Sequence, residues 1–158
     1  MGWEHIAPYL IVACGIVLLL AGIQDARFRT IAHWQVIAVI ALAPLYWMAS
    51  GLSPWPDMAV RLAAGIGVLT VFLVPFAFGW MAGGDVKLLA ALALWLPPEL
   101  LLVALQVVAI VGGIVTLPFW IARRWRGAGK APVEVPYGVA IAAGGLIMLG
   151  KPIINQFG

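Results

Sequence analysis

The chain has 158 residues, 65% of them hydrophobic and 9% charged, with a mean hydropathy of +1.10. Soluble domains run nearer 45–50% apolar and about 25% charged, so nine basic and six acidic side chains cannot clothe a water-facing globule, and so much apolar surface excludes a disordered chain. A spanning helix takes about 20 residues, which leaves room for one compact membrane domain over residues 1–158 and no second one.

Six apolar segments follow in chain order. The first, Ile6 to Ile23, is expected to be a retained span, because Met1 to Pro8 holds no Lys or Arg that would make a signal peptide. It carries Cys14, the single cysteine, which supports neither a disulfide framework nor a cysteine zinc site. Trp34 to Ala49 and Ala59 to Gly79 read as the second and third spans. Turn chemistry breaks the chain at Gly51-Leu-Ser-Pro54, at Gly83-Gly84, at Pro97-Pro98 and at Gly127-Ala-Gly129. The fourth segment, Val86 to Leu96, makes only about 16 Å of helix, roughly half the hydrocarbon thickness. Leu100 to Ala122 and Pro136 to Leu149 complete the set. The expected fold is an all-α polytopic membrane protein of about six transmembrane helices, the fourth short. Five long helices around one short inner helix describe the pattern equally well. Small residues at Gly79/Gly83 and Ala140/Gly144 suit close helix packing. Trp34, Trp55 and Trp120 read as interfacial anchors.

The basic residues give an orientation. If the loops after spans one, three and five share a side, that side holds Arg27, Arg29, Lys87, Arg123, Arg124, Arg126 and Lys130. The other side holds Arg61 and Lys151. The positive-inside rule then makes the first side cytoplasmic and puts both termini outside. The run Arg123–Lys130 also suits anionic lipid headgroups. It lacks the aromatic interleaving of a nucleic-acid surface, so no nucleic-acid partner is expected.

Glu4, Asp57 and Glu99 fall at external helix ends, and Glu134 lies in the basic loop. Asp25 and Asp85 differ: both stand at the cytoplasmic boundary beside a helix end. Ionisable groups at membrane depth point to function. Taken singly, Asp85 fits an ordinary helix N-cap, and Asp25 fits headgroup-zone pairing with Arg27 or Arg29. A first helix that ran past Asp25 would set its carboxylate against the negative end of the helix dipole. As a pair on one face, the two suit an aspartic dyad, in which adjacent carboxyls share a proton and activate water. They equally suit a proton relay in a small proton-coupled transporter or channel subunit. No cluster of His, Cys, Asp and Glu has metal-ligand spacing, so neither a metal nor a cofactor is expected.

Gly79-Trp-Met-Ala-Gly-Gly-Asp-Val-Lys-Leu-Leu89 resembles the Gly-x-Gly-Asp signature of the type IV prepilin peptidases, which are membrane aspartic proteases. Asp25-Ala-Arg-Phe-Arg-Thr-Ile-Ala-His-Trp34 resembles their other catalytic segment, and Val135-Pro-Tyr-Gly-Val-Ala-Ile-Ala-Ala-Gly144 resembles their closing Pro-Tyr-Gly element. The resemblance implies that Asp25 and Asp85 are the catalytic pair. It implies removal of a short basic leader from a prepilin at the cytoplasmic face of a bacterial inner membrane, with the pilin's apolar helix admitted beside the bundle. The length resembles the short form found in Flp, or tight-adherence, pilus systems. With one cysteine and no paired-cysteine insertion, N-methyl transfer is not expected. Two departures stand out: Ala82 replaces the first Gly of the signature, and Ile31-Ala32-His33 replaces an Ile-Pro-Asn step.

Supporting roles are expected for five further residues. Gly83 and Gly84 would provide unusual dihedrals or close backbone approach, or would simply mark a helix end. Lys87 would steady an ionised carboxylate or anchor a headgroup. Tyr137 and Gly138 would line the site across the bundle or belong to the interfacial belt. His33 reads as structural.

Overall fold

In a computed structural model, residues 4–126 and 136–157 are described, and all their regular structure is helical. The expected break at Gly127–Gly129, Lys130, Glu134 and Val135 lie outside the described residues, as does the side chain of Trp120. Six helices of more than ten residues follow in order: α1 (Ala7–Phe28), α2 (His33–Ala49), α3 (Ala59–Ala77), α4 (Gly83–Ala93), α5 (Pro98–Arg126) and α6 (Tyr137–Phe157). Three stretches are long and apolar enough to cross a membrane: Ala7–Phe28, Pro54–Ala77 and Pro98–Pro118. His33–Ala49 and Tyr137–Lys151 are shorter apolar helices.

The short segment is the centre of the assembly. Helix α4 packs on α2, α3 and α6, while α1 packs on α6 and α2, and α5 on α6. Val86, Leu88, Leu89, Ala91, Leu92 and Ala93 are all buried, so neighbours cover most of α4 and leave open the face that carries Lys87 and Ala90. An 11-residue helix ends before its neighbours do and leaves its last carbonyls inside the bundle. Side chains from two other helices satisfy them. Trp47 Nε1–H on α2 donates to the Leu94 carbonyl at 2.8 Å, and the Arg61 guanidinium on α3 donates to the Trp95 carbonyl at 2.6 Å. Trp95 itself is buried, stacks on Tyr46 with ring centres 5.0 Å apart, and donates its indole N–H to the Val39 carbonyl at 3.0 Å. Arg61, taken from sequence as a marker of the external side, is also the cap of this helix.

Small residues set the helix spacing. A Cβ on Gly65 would lie 2.6 Å from Leu94 Cδ2, one on Gly22 would lie 2.8 Å from Ala142 Cβ, and one on Gly145 would lie 2.9 Å from Leu18 Cδ1. These contacts draw α3 onto α4 and α6 onto α1. Gly144 likewise meets Val108 of α5, as its small-residue spacing suggests. Gly79 does not belong to such a stripe. Its φ of +70° places it in the turn after α3, where a Cβ would meet nothing within 4 Å, so its role is backbone conformation.

Candidate active site

Asp25 and Asp85 come from opposite kinds of helix end. Helix α1 continues one turn past Asp25 to Phe28 and closes on Arg29 in the left-handed region, φ 56°, with the Arg29 N–H donating to the Asp25 carbonyl at 2.9 Å. Arg29 is neither Gly nor Asn, so this closure stores on the order of 1 kcal/mol of backbone strain. Asp85 is the third residue of α4. The N-cap is Ala82, with φ −75° and ψ 148°, so Asp85 is not the cap that its position in sequence allows. Asp25 therefore faces the negative end of one helix dipole and Asp85 the positive end of another. The two carboxylates are electrostatically inequivalent.

Both are withdrawn from solvent, Asp25 at 3% exposure and Asp85 at 2%. They lie close enough for the charge of Asp25 to act on Asp85, and the backbone of Ala82 and of Gly138 also acts on the Asp85 carboxylate. Gly138, in the first turn of α6, sits flat against Asp25. A Cβ there would stand 2.8 Å from both Cγ and Oδ2 of the Asp25 carboxyl. Only a glycine lets α6 come this near, and that approach brings the third motif onto the first. The second meets the first as well, because a Cβ on Gly84 would lie 3.2 Å from Ile31 Cβ.

Gly83 and Gly84 lie in the first helical turn and have ordinary negative φ values. Their use is close approach, to Phe76 and Ile31 respectively, and the expectation of unusual dihedrals is corrected. They open α4, so the break in the chain lies in the preceding turn and not at the glycines. Ala82 in place of the signature's first Gly has a simple account: its extended backbone is open to any L-residue. Lys87 is exposed and lines the groove described below, as does His33 at the start of α2. Tyr137 turns elsewhere. Its ring lies against Gly112 of α5, 3.4 Å from where a Cβ would be, and it is not among the residues lining that groove.

Sequence reasoning missed two glutamines. Gln35 is 1% exposed; its Oε1 accepts the Ala32 N–H at 3.1 Å and its Nε2 donates to Gln24 Oε1 at 3.1 Å. It caps α2 and ties that cap to the residue preceding Asp25. The signal was a Gln three residues after the N-cap, disguised because the cap residue, Ala32, is neither Ser nor Thr.

The carboxylates stand at one end of a groove of about 550 Å³. Two buried carboxyls that cannot both ionise comfortably share one proton, and such a pair can hold a water between base and acid. Among the described residues no group of three or more His, Cys, Asp or Glu side chains is arranged to hold a metal ion.

The sequence profile of the type IV leader peptidase family matches residues 12–117. Among curated proteins, the chain is similar to a prepilin leader peptidase/N-methyltransferase of Burkholderia pseudomallei strain 1026b, 32% identical over 127 residues. The protein of the same description from strain K96243 is equally similar. The aligned stretch is 73% of this chain and 40% of the relative, so the chain spans about two fifths of the length of the curated relatives it matches. No solved structure matches.

Proposed function

The chain belongs to the type IV leader peptidase family, and from that premise we propose that it is a membrane aspartic endopeptidase that removes the leader from prepilins, with Asp25 and Asp85 as the catalytic pair. The observation that carries the proposal is the meeting of two buried carboxylates, held by Gly138, at the head of an open groove. One carboxylate takes a proton from water as that water attacks the scissile carbonyl. The other, protonated, gives its proton to the carbonyl oxygen; as the resulting gem-diol collapses, the first passes the water-derived proton to the leaving amine nitrogen and the second recovers a proton from the diol. The protein needs no electrophile beyond that proton, and the pair titrates as a unit.

The Flp-type substrate, the cytoplasmic face of a bacterial inner membrane, the crossing of all six helices and external termini belong to the same proposal. The basic residues clustered after spans one, three and five support the orientation. N-methyl transfer is not included, since the paired cysteines that accompany it in the long members of the family are not matched by the single Cys14. Lipid headgroups are proposed as contacts of the basic run that begins at Arg123. A proton relay is less well supported, because it wants carboxylates staggered through the membrane, whereas these two act directly on each other.

The test is co-expression with a Flp-type prepilin, read by a gel shift and by the N-terminal sequence of the product. The wild type should remove the leader; Asp25→Asn and Asp85→Asn should each abolish removal while the protein accumulates in the membrane. Cleavage by either variant overturns the dyad.

A further inference from the structure

Two carboxyls can share one proton and hold one water only at a set separation, so the two helix ends that carry them must be kept in register. The close approaches at Gly138 and Gly84 leave room for that geometry, but a missing side chain permits a position without fixing it. A hydrogen bond does fix one. Gln35 on α2 donates from Nε2 to Oε1 of Gln24, the residue before Asp25 on α1, at 3.1 Å. The direction of that bond is forced. The Ala32 N–H can only donate, so the Gln35 atom 3.1 Å from it is Oε1. The other end of the amide is then the donor Nε2, and Gln24 must turn its acceptor toward it. With Gln35 1% exposed, its bonds are made in surroundings of low polarity, where losing a partner is costly.

Each end of this amide reaches the support of one carboxylate. On one side the bond holds Gln24, and so resists rotation of the last turns of α1 about the helix axis. A carboxyl lies about 5 Å from that axis, so a rotation of about 10° moves it about 1 Å. On the other side the Ala32 N–H fixes the backbone at Ile31–Ala32. Ile31 rests on Gly84, the residue before Asp85: a Cβ there would lie 3.2 Å from Ile31 Cβ and 3.7 Å from its backbone nitrogen. We propose that Gln35 is a positioning residue for the reaction, with Gln24 as its partner. One amide clamps the helix end that bears Asp25 to the segment on which the start of α4, and with it Asp85, is seated. The inference rests on the leader-peptidase reading and adds to it what sets the spacing of the pair. Neither glutamine lines the groove, so loss of the clamp should slow the chemical step and leave substrate binding unchanged.

Steady-state cleavage of a Flp-type prepilin by the full chain in lipid nanodiscs separates kcat from KM. Gln24→Met leaves the cap of α2 in place and breaks only the link, so it should lower kcat about tenfold with KM held within about twofold. Gln35→Met breaks both bonds and should lower kcat about 100-fold, again at nearly constant KM. The double variant should be no slower than Gln35→Met, because the two side chains act as one unit. Gln35→Glu should recover kcat to within about threefold of the wild type, since a protonated carboxyl offers the acceptor and the donor of the amide. Gln106→Met, at an exposed position on α5, is the control and should match the wild type. Wild-type kcat in Gln24→Met, a loss that appears in KM, or losses that multiply in the double variant each overturn the clamp. So does a Gln35→Glu protein as slow as Gln35→Met, or an equal loss in Gln106→Met. If Gln35→Met does not accumulate, Gln24→Met decides, because it leaves α2 capped. Wild-type protein that cleaves while these results fail sinks the clamp and leaves the protease standing. Wild-type protein that never removes the leader sinks the protease itself.

Discussion

Gly138 is the residue on which the site turns. Its missing side chain is what lets α6 lie on the Asp25 carboxyl while its backbone acts on Asp85. Gly138→Ala puts a methyl 2.8 Å from that carboxyl, and neither a helix backbone nor a buried Asp can give way cheaply. We predict a loss of cleavage rate on the order of 100-fold, the scale of a misplacement of about 1 Å in a catalytic group. Protein level and detergent-unfolding midpoint should change little, since most of α6 packs elsewhere. Normal turnover by Gly138→Ala would show that the dyad tolerates displacement. At this scale Asp25 and Asp85 were legible because a chain with six acids leaves few to explain. Gln35 and Gln24 were not, since a pair of amides hydrogen-bonded across two helices has no signature in either segment alone. Tyr137 shows the reverse: a motif says that a residue lies near a site, while the packing of its ring, here against Gly112, decides what it faces.

At the scale of the element, α4 poses a problem that its sequence does not solve. It is short, buried, and ends inside the bundle, with carbonyl oxygens that hydrocarbon cannot satisfy. Trp47 and Arg61 supply the donors. Trp47→Phe leaves the Leu94 carbonyl without its indole partner, and Arg61→Met leaves that of Trp95 without its guanidinium. Each should lower stability in detergent by about 1–3 kcal/mol, the usual consequence of an unpaired buried polar group. Arg61→Lys keeps a donor and should lose less. If both variants unfold at the wild-type midpoint, the cap is dispensable. Because α4 also carries Asp85, this cap holds the far end of the helix on which the proposed chemistry depends.

For the whole molecule, the small-residue contacts decide how tightly helices close around α4. Cys14 provides a natural reporter: it is the single cysteine and is fully buried. Gly145 stands where α6 meets Leu18 of α1 and Leu92 of α4, and a Cβ would already lie 2.9 Å from one and 3.1 Å from the other. Gly145→Leu should pry α6 from α1 and expose Cys14 to a membrane-permeant maleimide, at a rate well above the near-zero labelling of the wild type. Equal, slow labelling of both proteins would mean the bundle accommodates the bulk.

Composition alone determined that this chain is a helical membrane protein, because apolar runs of this length have few other ways to satisfy their backbones. The sequence also placed most helix ends to within a few residues, although α1 runs on to Phe28 and α6 to Phe157, and put Asp25 and Asp85 at two of them. That the two carboxylates meet, that the shortest segment is the hub, and that α2 and α3 stand apart as the walls of a groove were decided only by the tertiary structure. Periodicity and charge act along the chain, whereas these features depend on which helices touch. That was set by where a missing Cβ, at Gly22, Gly65, Gly138 and Gly145, allowed two backbones to close.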